Sequence, residues 1–224
     1  MQLPFSLDEF LGVFRQYNEA IGVMPLLLVA LAVGLVALAH ARNPSSHRNI
    51  ALGLAALWLW SGMAYHWAFF ASINPAARFL AGAFVLQGVL LISMGAFRGR
   101  LQISPRNDRR GVLGWLFIAY ALVGYPVAGW ALGHGYPEGP SFGAPCPTTI
   151  FFLGMMFWTK GRIPIALVVI PIAWAAIGTG AALQLGMRED LGLALAAVLL
   201  VAEMVRERLS HGAASGSGLV GVRR

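Results

Sequence analysis

Apolar runs of membrane-crossing length dominate this chain. Seven of them, near residues 22–41, 50–72, 78–97, 111–133, 147–159, 163–186 and 191–206, are separated by short polar stretches. A helical span needs about 20 mainly apolar residues, with a range near 17–25. In hydrocarbon every backbone amide and carbonyl must find a partner within the protein, and a helix supplies those partners within one segment. The expected fold is therefore all-α: a polytopic membrane helix bundle with about seven transmembrane helices, forming one domain over 1–210. Composition agrees, with 58% hydrophobic and 11% charged residues against about 25% charged in soluble domains. The fifth run, 147–159, is the shortest. A six-span bundle with that run re-entrant is the competing arrangement.

The net charge of +7 does not point to nucleic acid, because the basic residues gather in the short connections. Arg42 and Arg48 follow the first run, Arg98, Arg100, Arg106, Arg109 and Arg110 the third, Lys160 and Arg162 the fifth. Arg206, Arg208, Arg223 and Arg224 end the chain. With seven spans all of these fall on one side, and Arg15, Arg78 and Arg188 on the other. The positive-inside rule then puts the N-terminus outside and the C-terminus inside. The acidic start "MQLPFSLDEF" is unlike a cleavable signal. Over 5–20 an amphipathic helix is expected, opened by the capping pair Ser6 and Glu9 and too polar to span. The Gly/Ser-rich end, 211–224, reads as a flexible cytoplasmic tail.

Candidate chemistry concentrates on the outer side. The loop "GHGYPEGPSFGAPCP" is rich in Gly and Pro, which fix an irregular backbone shape. Its end holds the lone cysteine, Cys146, followed by Pro147, Thr148 and Thr149. One thiol excludes an internal disulfide and CxxC chemistry. At a helix start the dipole favours a thiolate, which makes Cys146 a candidate nucleophile or soft-metal ligand; the plainer reading is a buried structural cysteine. His66 lies within the second run, with Met63 and Phe70 expected on its helical face and Asn74 farther along. An ionisable group inside a span is a functional candidate, against a plain histidine bonded to a neighbouring helix. The expected ligand site comprises His66, Asn74, His134, Tyr136, Cys146, Thr148, Thr149 and Glu19, with His66, His134 and Cys146 as the metal-binding subset. Gln87, Gln184 and Glu203 read as structural.

Three stretches, "PFSLDEFLGVFRQYNEA" (4–20), "YHWAFFASINPAARF" (65–79) and "YALVGYPVAGWALGHGYPEGPSFGAPCPTTIF" (120–151), resemble the domain of unknown function 6064 family of bacterial integral membrane proteins. The similarity spans nearly the whole chain. One departure lies after "YNEA", where the family pattern has Trp-Pro and this chain reads Gly22, Val23, Met24, Pro25. The resemblance implies a polytopic protein of the bacterial cytoplasmic membrane. It adds weight to His66, Asn74, His134 and Cys146 as a shared site and supplies no activity or cofactor.

Binding or transport of a small solute or metal ion is the leading expectation, with the lipid bilayer as the other partner. A membrane enzyme using Cys146 and a histidine is one alternative; no HxxxH or HExxH pattern supports it. A structural or accessory subunit is the other. A retinal protein is excluded because the only lysine, Lys160, lies in a loop, and no P-loop is present.

Overall fold

The computed structural model describes residues 3–41 and 43–217, with only the backbone described for Pro44 and for 211–217. It is all-α, with no strand among the described residues. Helix α1 (Leu7–Ile21) starts on the Ser6–Glu9 capping box, whose two reciprocal bonds are both formed. The chain then turns at Gly22, where φ is 56°, and α2 (Met24–His40) departs at 83° to α1. That positive φ suits glycine. Helix α3 (Pro44–Trp60) begins on an Asn43 cap and continues into a π-helical stretch, Ser61–Trp67. Helix α4 (Ala77–Leu90) continues as a second π stretch, Leu91–Phe97. Helix α5 (Arg109–Ala119) runs through a third, Tyr120–Gly124, into α6 (Tyr125–Ala131). Then come α7 (Pro145–Phe157), α8 (Val169–Leu185) and α9 (Leu191–Ser217).

Two of these runs are long and apolar enough to cross a membrane, Ala77–Phe97 with 21 residues and Arg109–Ala131 with 23. The bent pair α1 and α2 makes a third if counted as one span, and α7 and α8 are shorter apolar helices. The seven apolar runs thus each hold a helix, while the long, straight spans are fewer than the sequence suggests. The stretch expected as a tail is helical as far as Ser217; residues 218–224 lie outside the described residues.

The core is built around α7, every residue of which is buried. Helix α5 crosses it at close range because glycines face each other. A Cβ on Gly114 would stand 2.2 Å from Trp158 Nε1, and one on Gly154 3.0 Å from Ile118. Small residues at such crossings let the backbones approach closely. Trp158 Nε1 donates to the Gly111 carbonyl at 3.2 Å, which ties the end of α7 to the start of α5. Asp108 caps α5 by accepting from the Gly111 amide at 3.0 Å. The Arg106 guanidinium beside it holds the Asp108 carboxyl down to about 2. A second, smaller cluster joins α1 to the end of the first π stretch through Phe5, Phe14, Tyr17, Tyr65 and Phe70.

Adding bulk at the α5–α7 crossing should weaken the fold. Gly114→Val should cost about 1–3 kcal/mol, read as a lower melting temperature in detergent. Gly82→Ala, with nothing within 4 Å of its Cβ position, should match or exceed the parent, since Ala gains about 0.5–1 kcal/mol over Gly in a helix. Equal losses for both would contradict the close crossing.

Candidate functional site

The loop Gly133–Ala144 is held down chiefly by one side chain of α1. Asn18 is buried and donates from Nδ2 to the carbonyls of Pro137 (2.6 Å) and Gly139 (2.9 Å). Its Oδ1 accepts from the Ser141 hydroxyl at 2.6 Å. Arg15 pairs with Glu138 beside this anchor. At the loop's far end the Ser61 hydroxyl donates to the Gly143 carbonyl at 2.6 Å. Gly143 has φ 104°, and a Cβ there would meet Leu28 at 2.4 Å, so no other residue fits without rearrangement.

Beneath this loop stand two adjacent buried carboxylates, Glu189 and Asp190, in a short 3₁₀ turn (Arg188–Asp190) between α8 and α9. Glu189 faces His134, with Oε1 2.9 Å from Nδ1. Its backbone carbonyl accepts from the Tyr120 hydroxyl at 2.6 Å. Asp190 accepts from the Tyr125 hydroxyl at 2.6 Å and interacts with the Cys146 thiol. Burial pushes the Asp190 carboxyl up to about 7; Glu189 adds to the rise, while Tyr125, Cys146 and His134 oppose it. The same geometry bears on Cys146. The dipole expectation favours a thiolate there, but burial and then the adjacent Asp190 push the thiol in the opposite direction, up from its ordinary value.

Cys146 and Asp190 also line a cavity of about 500 Å³. Most of its wall is apolar or aromatic, including Phe10, Phe14, Tyr65, Phe70 and Trp174, and Asn74 and Gln184 add polar groups. The Tyr65 hydroxyl and Trp174 Nε1 are buried without a hydrogen-bond partner. Buried polar groups nearly always have one, so these two wall residues offer unused donors. A smaller cavity of about 170 Å³ is lined by Tyr125, His134, Tyr136 and Pro147 among others.

The expected site residues distribute unevenly. Cys146 and Asn74 share the aromatic cavity, and His134 and Tyr136 share the cavity of about 170 Å³. Tyr136 is exposed and reaches the Asn18 carbonyl at 3.4 Å. Thr148 and Thr149 are buried in α7 with unpaired hydroxyls. Glu19 is exposed; its neighbour Asn18 makes the inward contacts. His66 is fully buried among the rings of Tyr65, Phe70, Phe84 and Trp174, edge-on to Phe84 at 4.6 Å and to Trp174 at 5.0 Å. Neither of its nitrogens has a hydrogen-bond partner, so it packs as an aromatic ring. Among the described residues no three His, Cys, Asp or Glu side chains stand together to hold a metal ion. Glu189, Asp190, Tyr125 and Trp174 are site residues that sequence reasoning misses.

The family model for a family of unknown function (DUF6064) matches residues 7–215. The chain belongs to this family. The DUF6064 match takes in every candidate site residue named above. No curated protein and no solved structure gives a significant match to this DUF6064 chain.

The site makes two outcomes testable. Asp190 holds its proton more tightly in the fold, at about 7, than at its ordinary value of 3.8. Its stabilising contribution is therefore complete below about pH 4 and is lost as pH rises through 7. Asp190→Asn should flatten the fall in melting temperature across that window; an unchanged profile would mean Asp190 does not titrate there. His66→Ala should cost on the order of 3 kcal/mol by opening a hole, whereas His66→Phe keeps the ring contacts and should stay within about 1.5 kcal/mol of the parent. Thermal unfolding measures both. Equal losses would show that a ring nitrogen has a partner that ring packing does not explain.

Proposed function

We propose that this DUF6064 protein is an integral protein of the bacterial cytoplasmic membrane that binds, and carries across or presents, a small and largely apolar solute. The loop Gly133–Ala144 faces outward and the arginine-rich connections face inward. The observation that carries the reading is the cavity of about 500 Å³ with an aromatic wall and a few polar groups, among them the buried Asp190 and Cys146. Small-molecule sites have this make-up: a mainly apolar lining with a few polar groups that fix orientation. A solute with one hydrogen-bonding end fits it. The ring wall takes the apolar body, and Asp190, Asn74 and Gln184 are the polar residues of the lining that can meet the polar end.

The membrane assignment is supported by the 21- and 23-residue apolar runs and by large apolar side chains left exposed, among them Leu26, Phe79, Trp130 and Leu183. Such side chains are at ease against lipid. A metal-ion cargo finds less support, since His66 is enclosed by rings and His134 is engaged by Glu189. The same two facts weigh against an enzyme built on Cys146 and a histidine.

Carbonate washing of cell membranes should leave the protein in the pellet; release into the wash would overturn the membrane reading. Native mass spectrometry after gentle detergent extraction should show a bound small molecule. Trp174→Ala and Asp190→Asn should each lose most of it while the protein stays folded. A bare wild-type protein, or retention by both variants, would overturn the cavity reading.

A further inference from the structure

A third cavity lies at the opposite end of the bundle from the buried carboxylates. It measures about 820 Å³ and sits between the start of α3, the end of the Leu91–Phe97 stretch and the connection after α7. Among the described residues its lining carries Arg48, Arg98, Lys160 and His47, and no Asp or Glu. Among the described residues, the ion pairs use Arg15, Arg106, Arg109, Arg110, Arg206 and His134, so the three cations of this cavity stand in none of them.

The frame around these cations is built. The Arg48 guanidinium is stacked over the Phe97 ring at 5.5 Å. The Lys160 amide donates to the Gln102 carbonyl at 2.8 Å, and the Ser104 amide to the Trp158 carbonyl at 2.9 Å. An antiparallel bridge between Ile103 and Thr159 joins the same two connections. Lys160, Gln102 and Ser104 are thereby set along one wall. His47 Nδ1 is buried without a partner. Exposed Phe97, and Leu86 and Val89 farther along α4, give an apolar track leading away from the cations.

We propose that this cavity binds the phosphate headgroup of an anionic membrane lipid, with an acyl chain along the α4 track. Three uncompensated cations with neutral donors complement a phosphodiester, and basic pockets between helices on the cytoplasmic side are where such headgroups bind. Phosphate chemistry is shared with the free ion; the apolar track beside the cations favours the lipid. The proposal rests on the membrane reading, which carbonate extraction tests separately, and is independent of the aromatic cavity.

The test uses the full-length protein in a neutral detergent. It is titrated separately with phosphatidylglycerol, phosphatidylcholine and sodium phosphate, and binding is read by native mass spectrometry. Phosphatidylglycerol should bind at least about fivefold tighter than phosphatidylcholine, and more weakly as salt rises. Arg48→Gln and Lys160→Gln should each lower its affinity about fivefold, the effect of one removed cation near a charged headgroup. Arg78→Gln, which removes a cation elsewhere, should leave it unchanged. Lys160 is exposed, so Lys160→Gln carries the test if Arg48→Gln fails to fold. Equal binding of the two lipids, or equal loss with Arg78→Gln, would overturn the proposal. So would sodium phosphate binding as tightly as phosphatidylglycerol with the same sensitivity to Arg48→Gln and Lys160→Gln, which would assign the site to the free ion.

Discussion

Helix α7 is buried along all 13 of its residues, and a helix so enclosed must have both ends of its dipole met by protein. At about 1.5 Å per residue it measures roughly 20 Å. At its start, Asp190 lies against Cys146 in the first turn. At its end, the buried Arg110 guanidinium donates from Nε to the Phe157 carbonyl at 3.1 Å and from Nη2 to the Thr159 carbonyl at 3.3 Å. A carboxylate near a helix start and a cation near its end are each favourable. Arg110 in turn pairs with Glu207 on α9, and Arg109 and Arg206 both pair with Glu203 at 3.3 Å. The candidate site thus lies at one pole of this helix and the arginine cluster at the other.

The aromatic cavity arises from how the first helix is laid. Because α2 leaves α1 at 83° at Gly22, α1 does not run beside α2, and its aromatic face packs on the Ser61–Trp67 stretch. Phe14 stacks on Tyr65 at 5.0 Å, and Trp60 Nε1 donates to the Tyr17 hydroxyl at 2.8 Å. Asn18 on the same helix fixes the Gly133–Ala144 loop. One short amphipathic helix therefore shapes the cavity wall and positions the loop above the carboxylates.

The apolar runs, the Ser6–Glu9 cap and the place of Cys146 at the start of a helix are legible in the sequence, because each is a local signal. The carboxylates are not. In "MRED" they read as solvated loop residues beside Arg188, and only the return of Tyr120, Tyr125, His134 and Cys146 from far along the chain buries them. Glu19 is the expected residue where Asn18 acts, since the inward face is set by Phe14 and Tyr17, one residue out of step with it. The face expected to join Met63 to His66 fails for a related reason. A π-helical turn takes more residues than the 3.6 of an α-helix, and within Ser61–Trp67 Met63 is 51% exposed while His66 is fully buried. Periodicity arguments assume a regular helix and go out of register where it widens.

Helix α9 acts as a caliper on α7. Asp190, immediately before it, touches one jaw, and Glu207 grips the other through Arg110. Each inserted or deleted residue rotates the remainder of a helix by about 100° and shifts it by about 1.5 Å. The length of α9 between these two contacts is therefore a fixed gauge. Chain length in this segment is constrained by the two poles of a different helix, and drift in one can be absorbed only by matching drift in the other.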